Sequence, residues 1–146
     1  LVLAMRGYFD WILFDTAAGM GAPFTAAAQL AEHALLVLTP DPVALRDGRI
    51  VADALIAGGH TQDSVRLVVN RIARQSFGPK APVYDLDECI DTVGVRLIGA
   101  IPESTALQLA GAQGTAVPEG CAARTAGAAI AGRLLGERIP LTFTGW

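Results

Sequence analysis

An aspartate that closes an apolar run and opens a turn of small residues is placed to hold a hydrated cation. Asp15 has that setting, following Trp11-Ile12-Leu13-Phe14 and preceding Thr16-Ala17-Ala18-Gly19. A Mg²⁺ ion that keeps most of its water needs only a fixed anion near the phosphates it serves. Gly19, without a Cβ, lets the backbone approach a γ-phosphate closely and offer an N–H donor. Taken alone, an aspartate here is more often a strand-end cap; the surrounding DTAAG favours the metal role. Three more polar groups follow apolar runs in the same way. Thr39-Pro40-Asp41 comes after residues 34–38, Asn70-Arg71 after residues 65–69, and Pro102-Glu103-Ser104 after residues 97–101.

The elements that would position these groups are legible from periodicity. Each of the four runs is nearly apolar throughout rather than alternating, which suits strands covered on both faces. The segments between them read as helices. Asp41-Pro42 pairs an N-cap with proline at the first helical position, and Gly58-Gly59 closes that helix. Asp85 and Glu88 form a capping box ahead of the stripe Leu86, Cys89, Ile90 and Val93, with Gly94 ending the helix. Pro23 opens a helix toward Ala34, and Pro118-Glu119 opens an Ala/Gly-rich one reaching about Gly136. Strands alternating with helices across short loops predict an α/β fold, a parallel sheet of about four strands with flanking helices. In such a sheet, ligands bind beyond the carboxyl ends of the strands, where the polar groups above fall. The loop from Arg74 to Pro82, rich in Pro and Gly, is the one with unusual composition.

Composition narrows the function classes. The chain has 146 residues, a net charge of −3 and 52% apolar residues, enough for a single packed domain over residues 1–146. Its pI near 5.2 supplies no basic field for nucleic acid, so no direct nucleic-acid partner is expected. No apolar run approaches the length of a membrane span. Cys89 and Cys121 are too few and too far apart for a disulfide scaffold or a zinc knuckle, and read as packed thiols in a reducing compartment. Gly19-Met20-Gly21 is no dinucleotide fingerprint, because Phe24 stands at the third small position and no acidic residue ends the next run. His33 and His60 read as solvated, and Arg46-Asp47 as a helix-surface pair or partner-facing patch.

The four strand-end segments together resemble the MinD/ParA family of P-loop ATPases, in order and spacing. WILFDTAAGMG is similar to the family's Walker B and switch II segment. LLVLTPDPVALRDGRIVADAL is similar to the following strand and helix, with Thr39, Pro40, Pro42, Arg46 and Asp47 in the family's pattern. LVVNRI resembles the strand whose Asn-Arg end meets adenine, and RLIGAIPES the final strand with its Pro-Glu. The likeness is greatest to the septum-site-determining branch, particularly in DLDECIDTVGVRLIGAIPES.

The resemblance implies the later part of a P-loop NTPase, Rossmann-like three-layer fold, with ATP and Mg²⁺ as ligands. It assigns Asp15 to the Mg²⁺ shell through water and Gly19 to the γ-phosphate. It places Asn70 on the adenine edge with Arg71 beside it, and Pro102 and Glu103 along the adenine pocket. The implied protein is cytoplasmic and peripheral at the membrane, and forms an ATP-state homodimer that meets a protein activator or cargo in cell division or positioning. The tail from Ile139 to Trp146 is short and holds Pro140, unlike a basic amphipathic membrane helix. The family's glycine-rich lysine loop does not occur; the single lysine, Lys80, lies in Phe77-Gly78-Pro79-Lys80-Ala81-Pro82. By itself the chain is therefore not expected to hydrolyse ATP. Its first residue is Leu1 and its first methionine Met5, so it is expected to be the C-terminal portion of a longer ATPase. The alternative is a naturally reduced, non-enzymatic binding module.

Overall fold

Three of the four apolar runs pair as strands in the computed structural model, which describes residues 2–73 and 85–142. The strands are β1 (Ala34–Leu38), β2 (Val65–Ile72) and β3 (Arg96–Pro102), ordered β1-β2-β3 and all parallel. Helices α1 (Val2–Met5) and α2 (Ala22–Leu30) precede the sheet, and α3 (Pro42–Ala57) and α4 (Leu86–Val93) form its crossovers. After β3 come α5 (Thr105–Gln113) and α6 (Ala122–Leu134).

The caps act where their residue types place them. The Asp41 carboxylate accepts the Ala44 N–H at 3.0 Å, with Pro42 in the first turn of α3. Asp85 and Glu88 complete the capping box of α4, and Gly94 takes the left-handed conformation, φ +74°, that ends it. On one face of the sheet, Val65, Leu67 and Val69 of β2 pack with Leu45, Ala52 and Leu55 of α3 and with Leu86, Cys89 and Val93 of α4. On the other face, Val68 and Ile98 meet Ile130 of α6. The result is three layers. Arg133 fastens the end of α6: Nη1 donates to the Ile98 carbonyl at 2.8 Å, and Nε and Nη2 to the Ile139 and Pro140 carbonyls at 3.0 and 2.7 Å.

The α/β fold with a parallel sheet is as expected, with three strands among the described residues where about four were expected. Trp11-Ile12-Leu13-Phe14 forms no strand; it is irregular, and Leu13 is 88% exposed. An apolar run becomes a strand only where a ladder takes its N–H and C=O groups, and no described strand stands between it and the open edge of β1. Two helix boundaries and one helix also differ. Helix α2 stops at Leu30, because Ala31 turns extended before β1. Helix α6 begins at Ala122 rather than Pro118, because Gly120 at φ +78° turns the chain first. Helix α5 was not foreseen, although Ser104, whose hydroxyl accepts the Leu107 N–H, and Gly114 in the left-handed region are ordinary cap types. His60 is half-buried rather than solvated: its Nε2 donates to the Ala28 carbonyl at 2.9 Å, and its Nδ1 lies 3.2 Å from the Ser64 hydroxyl. The loop from Arg74 to Pro82 with Lys80, and the tail from Phe143 to Trp146, lie outside the described residues. No described helix is long and apolar enough to cross a membrane.

Close approach of α6 to β3 depends on Gly99, where an added Cβ would run into Cγ1 of Ile130. Gly99→Ala is expected to destabilise the fold by about 1–3 kcal/mol through overpacking. Gly127→Ala, at a helical position with nothing within 4 Å, is expected to stabilise it by about 0.5–1 kcal/mol. Urea midpoints of the two variants check this pair, and equal midpoints would contradict the α6–β3 contact.

Candidate functional site

All three strands point their carboxyl ends to one edge, so the polar groups that follow them gather there. After β1, Asp41 is committed to structure. Its carboxyl is held below the usual carboxylate range, first by the Ala44 N–H and then by the Thr39 hydroxyl. After β2 and β3 the register brings two of the predicted pairs together. Asn70 is opposite Ile101 and Ile72 is opposite Pro102, leaving Arg71 as an extra residue on β2. The Glu103 N–H donates to the Ile72 carbonyl at 3.0 Å, so Asn70-Arg71 and Pro102-Glu103 form one continuous strip. Pro102 is buried, Asn70 half-buried, and Arg71 and Glu103 exposed. The Asn70 Oδ1 accepts the Arg71 N–H at 3.0 Å, and among the described residues the amide NH₂, a donor, makes no hydrogen bond.

Asp15 and Gly19 are not part of that strip. Both are exposed in an irregular stretch, and no hydrogen bond among the described residues ties residues 10–20 to the sheet. Gly19 adopts φ +112° with nothing within 4 Å of an added Cβ, a backbone geometry that suits glycine alone. The Asp15 carboxylate makes no hydrogen bond or ion pair among the described residues, and no group of three metal-ligating side chains occurs among them. Asp15 thus has the chemistry to receive the waters of a hydrated cation, while the structure gives it no co-ligand.

Two features escaped the sequence reading. The N-caps of α5 and α6 meet, with Ser104 Oγ and Cys121 Sγ 3.3 Å apart. Cys121 is therefore not a core thiol but a half-buried one, pulled below its ordinary pKa by the Ser104 hydroxyl first and the Arg124 N–H second. No sequence pattern joins residues 17 apart across a loop. The second is a cavity of about 230 Å³ between α2 and the end of α3, lined by Met20, Phe24, Gln29, Leu55 and His60. By contrast Cys89 is fully buried, as its helical stripe predicts, and burial first, then the charges of Asp85 and Glu88, push its thiol up to about 11.

These environments separate the two thiols. Iodoacetamide near pH 7.5 is expected to modify Cys121 while Cys89 stays protected until the fold opens, and Ser104→Ala is expected to slow the Cys121 reaction. Peptide mass spectrometry over time reads both. Burial of a neutral Cys89 contributes stability below the unfolded thiol value of 9.0 that is lost as pH rises toward 11. A Cys89→Ala variant is expected to lack that alkaline component in unfolding midpoints.

No protein-family model matches the chain. It is 41% identical over 98 residues to a septum site-determining protein MinD of Nephroselmis olivacea, covering 67% of this chain and 34% of that protein. Against MinD of Bacillus subtilis the identity is 30% over 146 residues, covering 97% of this chain and 53% of that one. Among solved structures, the MinD cell division protein of Aquifex aeolicus superposes with a TM-score of 0.85 at 29% identity, over 96% of this chain and 59% of that one. The Aquifex MinC:MinD complex gives 0.84 at 29% identity, over 98% and 59%. A Pyrococcus horikoshii MinD complexed with Mg-ADP shares the fold, with a TM-score of 0.77 at 21% identity over 94% and 57%. The chain spans between about a third and about a half of the length of these curated relatives. Its sequence and its three-layer parallel sheet place the chain in the MinD-like family of P-loop ATPases.

Proposed function

We propose that this chain forms the Walker B, switch II and adenine-binding part of a MinD-like ATPase. The intact protein would bind ATP-Mg and act as a dimerisation switch in cell division or intracellular positioning. The observation that carries the reading is the register of β2 on β3, which sets Asn70-Arg71 beside Pro102-Glu103 at the carboxyl edge. Bound there, ATP-Mg supplies the phosphoanhydride and the charge-neutralising cation. The residues of this chain do the holding. The Asn70 NH₂ donates to an acceptor on the adenine edge, with Arg71 beside it, while Pro102 and Glu103 bound the pocket. The Asp15 carboxylate accepts hydrogen bonds from the waters of the cation, and the left-handed backbone at Gly19 offers an N–H to the γ-phosphate.

The charge of the β- and γ-phosphates needs the lysines of a glycine-rich loop, and none follows an apolar run here. The 146-residue chain alone is therefore proposed to be incompetent in hydrolysis. In the fold that the family resemblance implies, a P-loop strand lies between the Walker B run and β1. The open edge of β1 and the exposed Trp11–Phe14 run fit such a neighbour. A homodimer in the ATP state, a protein activator or cargo, and a cytoplasmic location belong to the same proposal. Support for a protein partner comes from the Aquifex MinD solved with MinC.

Affinity for a fluorescent ATP analogue, measured on the full-length gene product, tests the site. Asn70→Ala is expected to weaken binding about tenfold, the size of one well-formed hydrogen bond. Asp15→Asn is expected to retain nucleotide and to lose Mg²⁺-dependent hydrolysis. Wild-type affinity in the first variant together with wild-type turnover in the second would overturn the reading.

A further inference from the structure

Helix α2 is held in place by directional bonds more than by packing. None of its residues is fully buried, and Phe24 and Ala28 pack only partly against the core. Its N-cap, Gly21, has no side chain to offer, and its last turn carries no basic residue. Beside it lies the cavity of about 230 Å³, lined by Met20, Phe24 and Ala28 from its own segment and by Ala54, Leu55 and His60 from the end of α3 and the loop after it. An element with empty space beside it lacks the close-packed neighbours that would fix its position.

The last turn of α2 takes its donors from elsewhere in the molecule. A helix leaves its final carbonyls without intrahelical partners. The Ala31 N–H reaches the Ala27 carbonyl, but the Ala28 carbonyl accepts from His60 Nε2 at 2.9 Å and the Leu30 carbonyl from Arg6 Nη2 at 2.8 Å. His60 is itself anchored. Its backbone N–H donates to the Leu55 carbonyl at 3.1 Å, and its Nδ1 lies 3.2 Å from the hydroxyl of Ser64, whose carbonyl takes the N–H of Ala34 at the start of β1. The ring thus ties α2 to the end of α3 and to the ladder between β1 and β2. Arg6 closes the chain from the other direction. The irregular stretch that carries Asp15 and Gly19 therefore lies between two bonded ends, Arg6 and α2.

Gly19-Met20-Gly21 leads directly into α2, and a helix moves as a rigid body. Residue type gives Gly19 its positive φ, while the place of its N–H depends on what holds α2. We infer that His60 is a positioning residue: its donation to the Ala28 carbonyl, supported by Arg6 at Leu30, fixes α2 and so sets where the Gly19 N–H meets the γ-phosphate. The inference deepens the nucleotide reading above and rests on the role given there to Gly19.

The test compares His60→Leu, which fills a similar volume without a donor, with His60→Gln, whose amide can donate to the same carbonyl, in the full-length gene product. A fluorescent non-hydrolysable ATP analogue and its ADP counterpart give two affinities and their ratio, and only the first carries a γ-phosphate. His60→Leu is expected to lose about tenfold for the ATP analogue, the size of one hydrogen bond to a charged oxygen. It is expected to leave ADP affinity near the unaltered value and to speed hydrogen exchange at the Ala31 amide, which reads the end of α2 without ligand. His60→Gln is expected to keep most of the ATP preference. A general loss of stability would weaken both nucleotides alike, so an unmoved ATP-to-ADP ratio in His60→Leu overturns the inference. So does a loss in His60→Gln equal to that in His60→Leu, which assigns the effect to the shape of the ring. Should His60→Leu not fold, Arg6→Met, which removes the donor at Leu30, is expected to lower the same ratio, and an unmoved ratio there overturns the inference in its place. Failure of the unaltered protein to bind either analogue overturns the nucleotide reading itself, and equal affinity for the two removes the γ-phosphate role of Gly19. Both show before any substitution is made.

Discussion

Burial of β2 on both faces is the constraint from which the rest of the structure follows. A central parallel strand can lose both faces to water only if its side chains are apolar and its backbone groups are paired on both sides. Strand β2 meets both conditions, with Val65, Leu67, Val69 and Ile72 in the core shared with α3 and α4, Val68 facing α6, and ladders to β1 and β3. Once that strand is in place the crossovers must return over the sheet, and three carboxyl ends fall on one edge. The bulge at Arg71 belongs to the same constraint. It keeps an apolar side chain in the core at the point where the strand reaches polar surroundings.

Cover of the sheet is uneven. Helix α6 shields β2 and β3 on its side, while on β1 Leu35 and Val37 remain 38% and 54% exposed. Among the described residues the outer edge of β1 has no partner strand, and Tyr8, Phe9, Trp11 and Leu13 add exposed apolar surface near the start of the chain. Open edges and apolar patches of this kind invite association. This chain spans about half the length of the Bacillus subtilis MinD it matches.

The two halves of the candidate site differ in how they are held. The strip of Asn70, Arg71, Pro102 and Glu103 is built on paired strands, so its geometry is set by ladder register and buried neighbours. Asp15 and Gly19 sit on an irregular segment whose local geometry is set by residue type alone. Rigid elements position chemistry better than isolated turns do, and the strip at the carboxyl edge has that advantage over Asp15 and Gly19.

Local chemistry was legible in the residues themselves. Asp41 with Pro42, and Asp85 with Glu88 and Gly94, mark the ends of α3 and α4, because caps are contacts within one turn and need no partner elsewhere. Cys89 was legible as a core thiol for the same reason: its helical stripe has one apolar side. The segment from Trp11 to Phe14 shows where that logic ends. Its apolar character is a strand signal, yet a strand is an interaction between segments, and no described ladder receives it. Cys121 and His60 make the point at side-chain scale, each defined by a partner, Ser104 or Ala28, that sequence spacing does not reveal. The extra residue at Arg71 is of the same kind. Which of Arg71 and Ile72 enters the core is decided by the register of β2 against β3 and by the helices packed on it. Composition, caps and strand-end residue types are properties of short stretches of chain, whereas pairing, register and shielding depend on what the rest of the molecule brings alongside.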